Sequence, residues 1–157
     1  MKKWFLVLLC LFIVSAVSFA DMSKEELQQM YLSYLRSQSI SATVDSDGDI
    51  EFRFEGVHFN ALTFWIIVNE EDQQFFQIVI LNCYSLDTEN EKLLAPVAAA
   101  IATRRADVVK IYLNSSGTNV HASAEAYVAK PADFRAIFHK LMRELDEVMY
   151  IFLNEMR

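Results

Sequence analysis

The chain has 157 residues, 54% of them hydrophobic, with 14 basic against 21 acidic side chains and a formal net charge of −7. So apolar a composition excludes an intrinsically disordered segment, and acidity without any basic run or basic face speaks against nucleic acid, whose phosphates would be repelled. The same acidity favours basic or apolar peptides as partners.

Met1-Lys2-Lys3 is a short positive start, Trp4 to Val14 an unbroken apolar run, and Ser18-Phe19-Ala20 a small-x-small cleavage signal. That is the layout of a secretory signal peptide. A spanning helix needs about 20 mainly apolar residues. The seventeen from Trp4 to Ala20 are marginal as an uncleaved membrane anchor, the alternative, and well sized as a signal, and polar residues follow at once. Residues 1–20 are therefore expected to be removed between Ala20 and Asp21. This leaves a single exported domain over 21–157, periplasmic or extracellular, with no membrane attachment after cleavage. Cys10 leaves with the leader and is not a lipoprotein acceptor, because Leu9 stands where a small residue would be needed. Only Cys83 remains, so an internal disulfide is impossible. Within Ile78-Val79-Ile80-Leu81-Asn82-Cys83-Tyr84 it reads as a buried small hydrophobe. A chain near 150 residues hides about 70% of its unfolded surface and needs no staple.

Ser23 and Glu26 form a capping box ahead of Leu27, Met30, Tyr31, Tyr34 and Leu35 at helical spacing, so 23–37 is predicted to be an amphipathic helix. Ile40, Ala42 and Val44 alternate with polar residues, as do Ile50, Phe52 and Phe54, giving two half-buried strands. A three-residue loop, Ser46-Asp47-Gly48, pairs Val44 with Ile50 and Ala42 with Phe52, with Gly48 in the left-handed position. A one-residue slip would turn the apolar set to the wrong face. A third strand is expected over 58–68 and a fourth over 75–84. Both are apolar on both sides, which suits central positions in a sheet.

Leu86 to Arg105 reads as a second helix capped by Thr88. Its Pro96 implies that the helix proper starts near Ala95 or that its first turns are displaced. Two more strands follow, Val108 to Ser115 and Val120 to Ala129, the latter with a small-residue face of Val120, Ala122, Ala124, Ala126 and Val128. Pro131 opens a last helix whose stripe runs from Phe134 through Leu145, Met149 and Phe152 to Met156. The order helix, four strands, helix, two strands, helix indicates an α+β fold, an antiparallel sheet of about six strands packed with three helices.

That order resembles the YbjN-type domain, whose fold is shared with class I type III secretion chaperones. The resemblance spans nearly the whole of 21–157. It is most specific at Asp45-Ser46-Asp47-Gly48-Asp49-Ile50-x-Phe52-x-x-Glu55-Gly56, at the acidic turn before Phe75-Phe76-x-Ile78-Val79, and at Pro131-x-Asp133-Phe134. It implies a fold and a protein-binding or regulatory habit, without catalytic residues.

No chemical constellation survives inspection. Asp45-x-Asp47-x-Asp49 suggests a calcium loop, but an EF-hand needs glycine at the sixth position and glutamate at the twelfth, where Ile50 and Gly56 stand. A hairpin turn explains these acids better. His121, Ser123 and Glu125 share one strand face, which reads as the solvated side of the sheet. His58 and His139 have no partner at metal-ligand spacing, so neither metal nor cofactor is expected. Asn114-Ser115-Ser116 would be a glycosylation sequon in a eukaryotic pathway, whereas the short leader looks bacterial.

The leading expectation is an exported, non-enzymatic domain that binds a protein or peptide. The last helix, read as some 26 residues, is too long for one sheet to cover, so Leu145, Met149, Tyr150, Phe152 and Leu153 are candidates for a partner surface. A homodimer through that surface is consistent with the pattern, and so is packing on the first helix. Two rivals are an envelope enzyme using His121 and Glu125 or His58, and an apolar-ligand carrier with a cavity between the last helix and Phe54, Phe64 and Trp65.

Overall fold

A computed structural model describes residues 21–157; the expected leader, with Cys10 and Ala20, lies outside the described residues. From Met22 the backbone is held in place: its N–H donates to Gln73 Oε1 at 3.0 Å, and Gln73 Nε2 donates back to its carbonyl at 2.6 Å.

Helix α1, Lys24–Ser37, starts as its cap requires. Glu26 N–H donates to Ser23 Oγ at 3.3 Å and Ser23 N–H to Glu26 Oε2 at 2.8 Å, which satisfies donors that a helix start otherwise leaves unpaired. Leu27, Met30, Tyr31 and Leu35 are buried. Strands β1 (Ala42–Val44) and β2 (Ile50–Phe54) pair Val44 with Ile50 and Ala42 with Phe52, the register expected from their alternation. Gly48 sits at φ 89°, and Asp45 Oδ1 accepts the N–H groups of Asp47 and Asp49, both at 2.9 Å. The acids thus build the turn. Helix α1 clamps it, with Lys24 Nζ donating to the Asp47 carbonyl at 2.9 Å and Gln28 Nε2 to that of Gly48 at 2.8 Å.

Strand β3 covers only Leu62–Ile66, less than the expected 58–68. The reason lies far along the chain. Asp146 in the last helix, 5% exposed, accepts the N–H groups of Val57 at 3.1 Å and His58 at 3.0 Å, which draws this segment off the sheet. Strand β4 is Phe75–Ser85, β5 Val109–Leu113 and β6 Asn119–Tyr127. All pairings are antiparallel, in the order β1-β2-β3-β4-β6-β5, with β3 and β4 inside the sheet as expected.

Helix α2, Glu89–Thr103, runs unbroken through Pro96. It does not wait for Ala95: Thr88 and Glu91 form a full capping box, and Pro96 is exposed, so water can reach the carbonyl that the missing N–H leaves unpaired. A 3-10 turn, Pro131–Asp133, leads into α3, Phe134–Glu155.

The three helices bury one face of the sheet. Phe52, Phe64, Phe76, Phe134 and Phe138 meet there, Phe52 and Phe64 stacked at 5.4 Å. On β6 Val120, Ala122 and Ala124 are fully buried, which lets α3 lie close. The α3 stripe is consumed within the chain. Leu145, Met149 and Phe152 are 0%, 2% and 0% exposed, so these three do not form a partner surface. The far half of α3 packs on α2 and β5, and Phe152 meets Tyr84 edge-on at 5.7 Å. Tyr150 remains exposed but stacks on His58 at 4.3 Å, and Leu153 is half-buried against the core. No helix of the described residues is long and apolar enough to cross a membrane.

A Cβ on Gly56 would strike the Asp146 carboxylate and approach the Phe59 ring to 2.8 Å. Gly56→Ala is therefore expected to destabilise the fold. Asp146→Ala, which takes the acceptor from the part-buried Val57 and His58 N–H groups, should cost about 1–3 kcal/mol. Because the second change removes the first one's clash, urea unfolding should show the double variant less destabilised than the sum of the two.

Candidate functional site

Among the described residues the other face of the sheet carries no helix, and its side chains are those that alternate with the core. The registers set Glu51, Trp65, Val79, Ser123 and Lys110 side by side across five strands. Tyr112 and His121 are paired on one side of this row, near Leu81, and Gln77 and Glu125, then Phe75 and Tyr127, are paired on the other. Tyr127, Leu81 and Tyr112 are 75%, 44% and 40% exposed, and Trp65 is half-buried. An antiparallel sheet with one wet face normally alternates apolar-in and polar-out. Strands β3 and β4 break that rule with Trp65, Phe75, Val79 and Leu81.

The face is not simply solvated, as the alternation around His121, Ser123 and Glu125 suggested. Ser123 is fully buried and Val79 5% exposed although no helix of the described residues covers them, so neighbouring long side chains close over them. Ser123 Oγ donates to Glu125 Oε1 at 3.0 Å, Gln77 Nε2 to the same oxygen at 3.3 Å, and Lys110 pairs with Oε2. Three donors thus engage the Glu125 carboxylate.

His121 has another task. Between Ile80, opposite Ala122, and Tyr84, opposite Val120, strand β4 holds three residues where β6 holds one. Such a bulge leaves backbone groups unpaired. Asn82 takes φ 51°, and its N–H donates to His121 Nδ1 at 3.1 Å. The ring must be neutral at Nδ1 to accept that bond, and burial lowers its pKa. The sequence offered one sign of the bulge: Asn82, a residue that tolerates the left-handed region, interrupts an apolar run.

The residues of the enzyme reading do not converge. His121 and Glu125 are four positions apart on one strand, about 13 Å, and His58 stacks on Tyr150 of α3. His139 Nε2 shares a hydrogen bond with Gln38 Oε1 at 3.0 Å. Burial pushes the Cys83 thiol up to about 12, which disfavours its thiolate, and it donates to the Val120 carbonyl at 3.1 Å. Among the described residues no group of three His, Cys, Asp or Glu is placed to hold a metal. The space expected of a carrier is filled, since Phe64 is fully buried with Phe54 and Phe59 at 6.2 and 5.9 Å, while Trp65 points to the opposite face. Asp21 lies with Met22 at an acidic hollow of about 460 Å3 beside Glu70, Glu71 and Asp72.

No protein-family model and no curated protein matches the chain. The likeness to YbjN-type domains rests on element order and turn residues alone.

His121 gives the fold a pH dependence of known sign. A histidine whose folded pKa is lowered adds stability that is complete above its unfolded value, near 6.5, and lost as pH falls through the folded one. The urea midpoint is expected to fall between pH 7.5 and 5.5. In His121→Gln, whose carbonyl can accept from Asn82 but does not titrate, that fall should be smaller.

Proposed function

We propose that the chain is an exported, non-enzymatic binding module, chaperone-like or regulatory, that holds a polypeptide partner on the open face of its sheet. One observation carries the reading: Trp65, Phe75, Leu81, Tyr112 and Tyr127 gather around the sealed Val79 on a face that no helix of the described residues covers. Exposed clustered apolar surface of this kind marks interaction sites, and aromatic anchors supply much of the energy where proteins meet. Lys110 is tied to Glu125 there, so the face offers little net charge to steer a strongly charged ligand. Its natural occupant is an extended or unfolded segment with alternating apolar side chains.

Export is supported by the leader pattern of residues 1–20, and the element order adds the resemblance to secretion chaperones. Those act in the cytoplasm, so a shared role would lie in holding a polypeptide rather than in delivering it to a secretion system.

Trp65 is the only tryptophan outside residues 1–20 and reports on this face directly. Titrating the exported protein with a permanently unfolded polypeptide, such as carboxymethylated α-lactalbumin, should shift its emission to the blue and saturate. In Leu81→Asp/Tyr112→Asp the shift should vanish while far-ultraviolet circular dichroism is unchanged. A flat titration of the unaltered protein, or a variant that binds equally well, would overturn the reading.

A further inference from the structure

Helix α2 carries a second apolar surface, on the layer opposite the open sheet face. Glu89, Leu93, Val97, Ala100 and Arg104 recur at spacings of four, four, three and four, which places them on one line along the helix. All five are exposed, Leu93 at 76% and Val97 at 59%, and Pro96 beside them is exposed too. The inward side is alanine, with Ala95, Ala98, Ala99 and Ala102 buried. A surface helix normally sets charge opposite its buried stripe. Here charge is confined to the two ends.

We propose that this line is the contact between two copies of the chain, their α2 helices packed antiparallel about a twofold axis between Pro96 and Val97. A twofold contact must complement itself, and this sequence does. Turning the helix about that point sets Leu93 against Ala100 and Glu89 against Arg104, so each end meets its opposite charge. Arg104 has no ion-pair partner among the described residues. Glu89 is bound only to Lys92, one turn away at 2.8 Å, with its side chain 87% exposed. Such a surface pair contributes little and exchanges readily.

Shape agrees with charge. Pro96, Val97 and Ala100 are short, which permits helix axes about 8–10 Å apart. Alongside them a hollow of about 530 Å3, bounded by Pro96, Ala100, Ile111 and Leu113, lies where Leu93 of the second copy would enter. Two Leu93 side chains in two such hollows remove the most exposed leucines of the described residues from water.

Sedimentation velocity of the exported protein over a concentration series tests this without any client, so its outcome is independent of the open sheet face. The expected result is a reversible dimer that Val97→Asp and Leu93→Ser each abolish without change in far-ultraviolet circular dichroism. Glu89→Arg and Arg104→Glu should each weaken it about tenfold, and the two together should restore it, as interfacial charge pairs do. A monomer at every concentration, or a dimer indifferent to Val97→Asp, overturns the proposal. A dimer lost in Val97→Asp but not regained in the charge swap overturns the antiparallel register.

Discussion

Three helices have to share one face of a six-stranded sheet, and the side chains beneath them are graded to allow it. Under α1 and the start of α3 the sheet presents Phe52, Phe64 and Phe76, which hold the helices off. Under the middle of α3 it presents Val120, Ala122 and Ala124, which let the helix settle. Interiors are close-packed, so a helix over this sheet has little choice of height. Helix α3 in turn holds the β2–β3 connection through Asp146 and packs against α2. Among the described residues the opposite face is left without helices.

What could be read in advance was local. The β1–β2 register followed from alternation and from where Gly48 had to fall, and the first helix from its own cap. The shortened β3 was not legible, because at one end the His58 N–H goes to Asp146, 88 residues away, and at the other the Val68 N–H goes to Asp49. Pro96 looked like a break because proline in a helix interior usually is one. An outward-facing proline behind a strong cap proved to be tolerated. The last helix misled in another way: a stripe shows that a face is apolar, and only the tertiary arrangement shows that α2 and β5 cover it.

The candidate surface was legible in outline and misjudged in character. Alternation correctly put His121, Ser123 and Glu125 on the helix-free face, but it carried no sign that long neighbours would seal Ser123. The carrier reading set Trp65 with Phe54 and Phe64 on the helix side; its strand is apolar on both sides, and period two cannot choose a face there. Glu125 shows why polar residues at catalytic-looking spacing need not be catalytic: Ser123, Gln77 and Lys110 saturate its carboxylate and make it a fastener on the sheet.

Thr103, at the last turn of α2, has a consequence of a different kind. Its hydroxyl accepts the Ile111 N–H at 2.9 Å and reaches the Ile111 carbonyl at 3.4 Å, on the margin of β5 where a further strand would otherwise add. One short side chain therefore caps that border against runaway growth, and the opposite border is a strand of only three residues. Edge-to-edge growth into open-ended fibres is thereby disfavoured at both borders of the sheet.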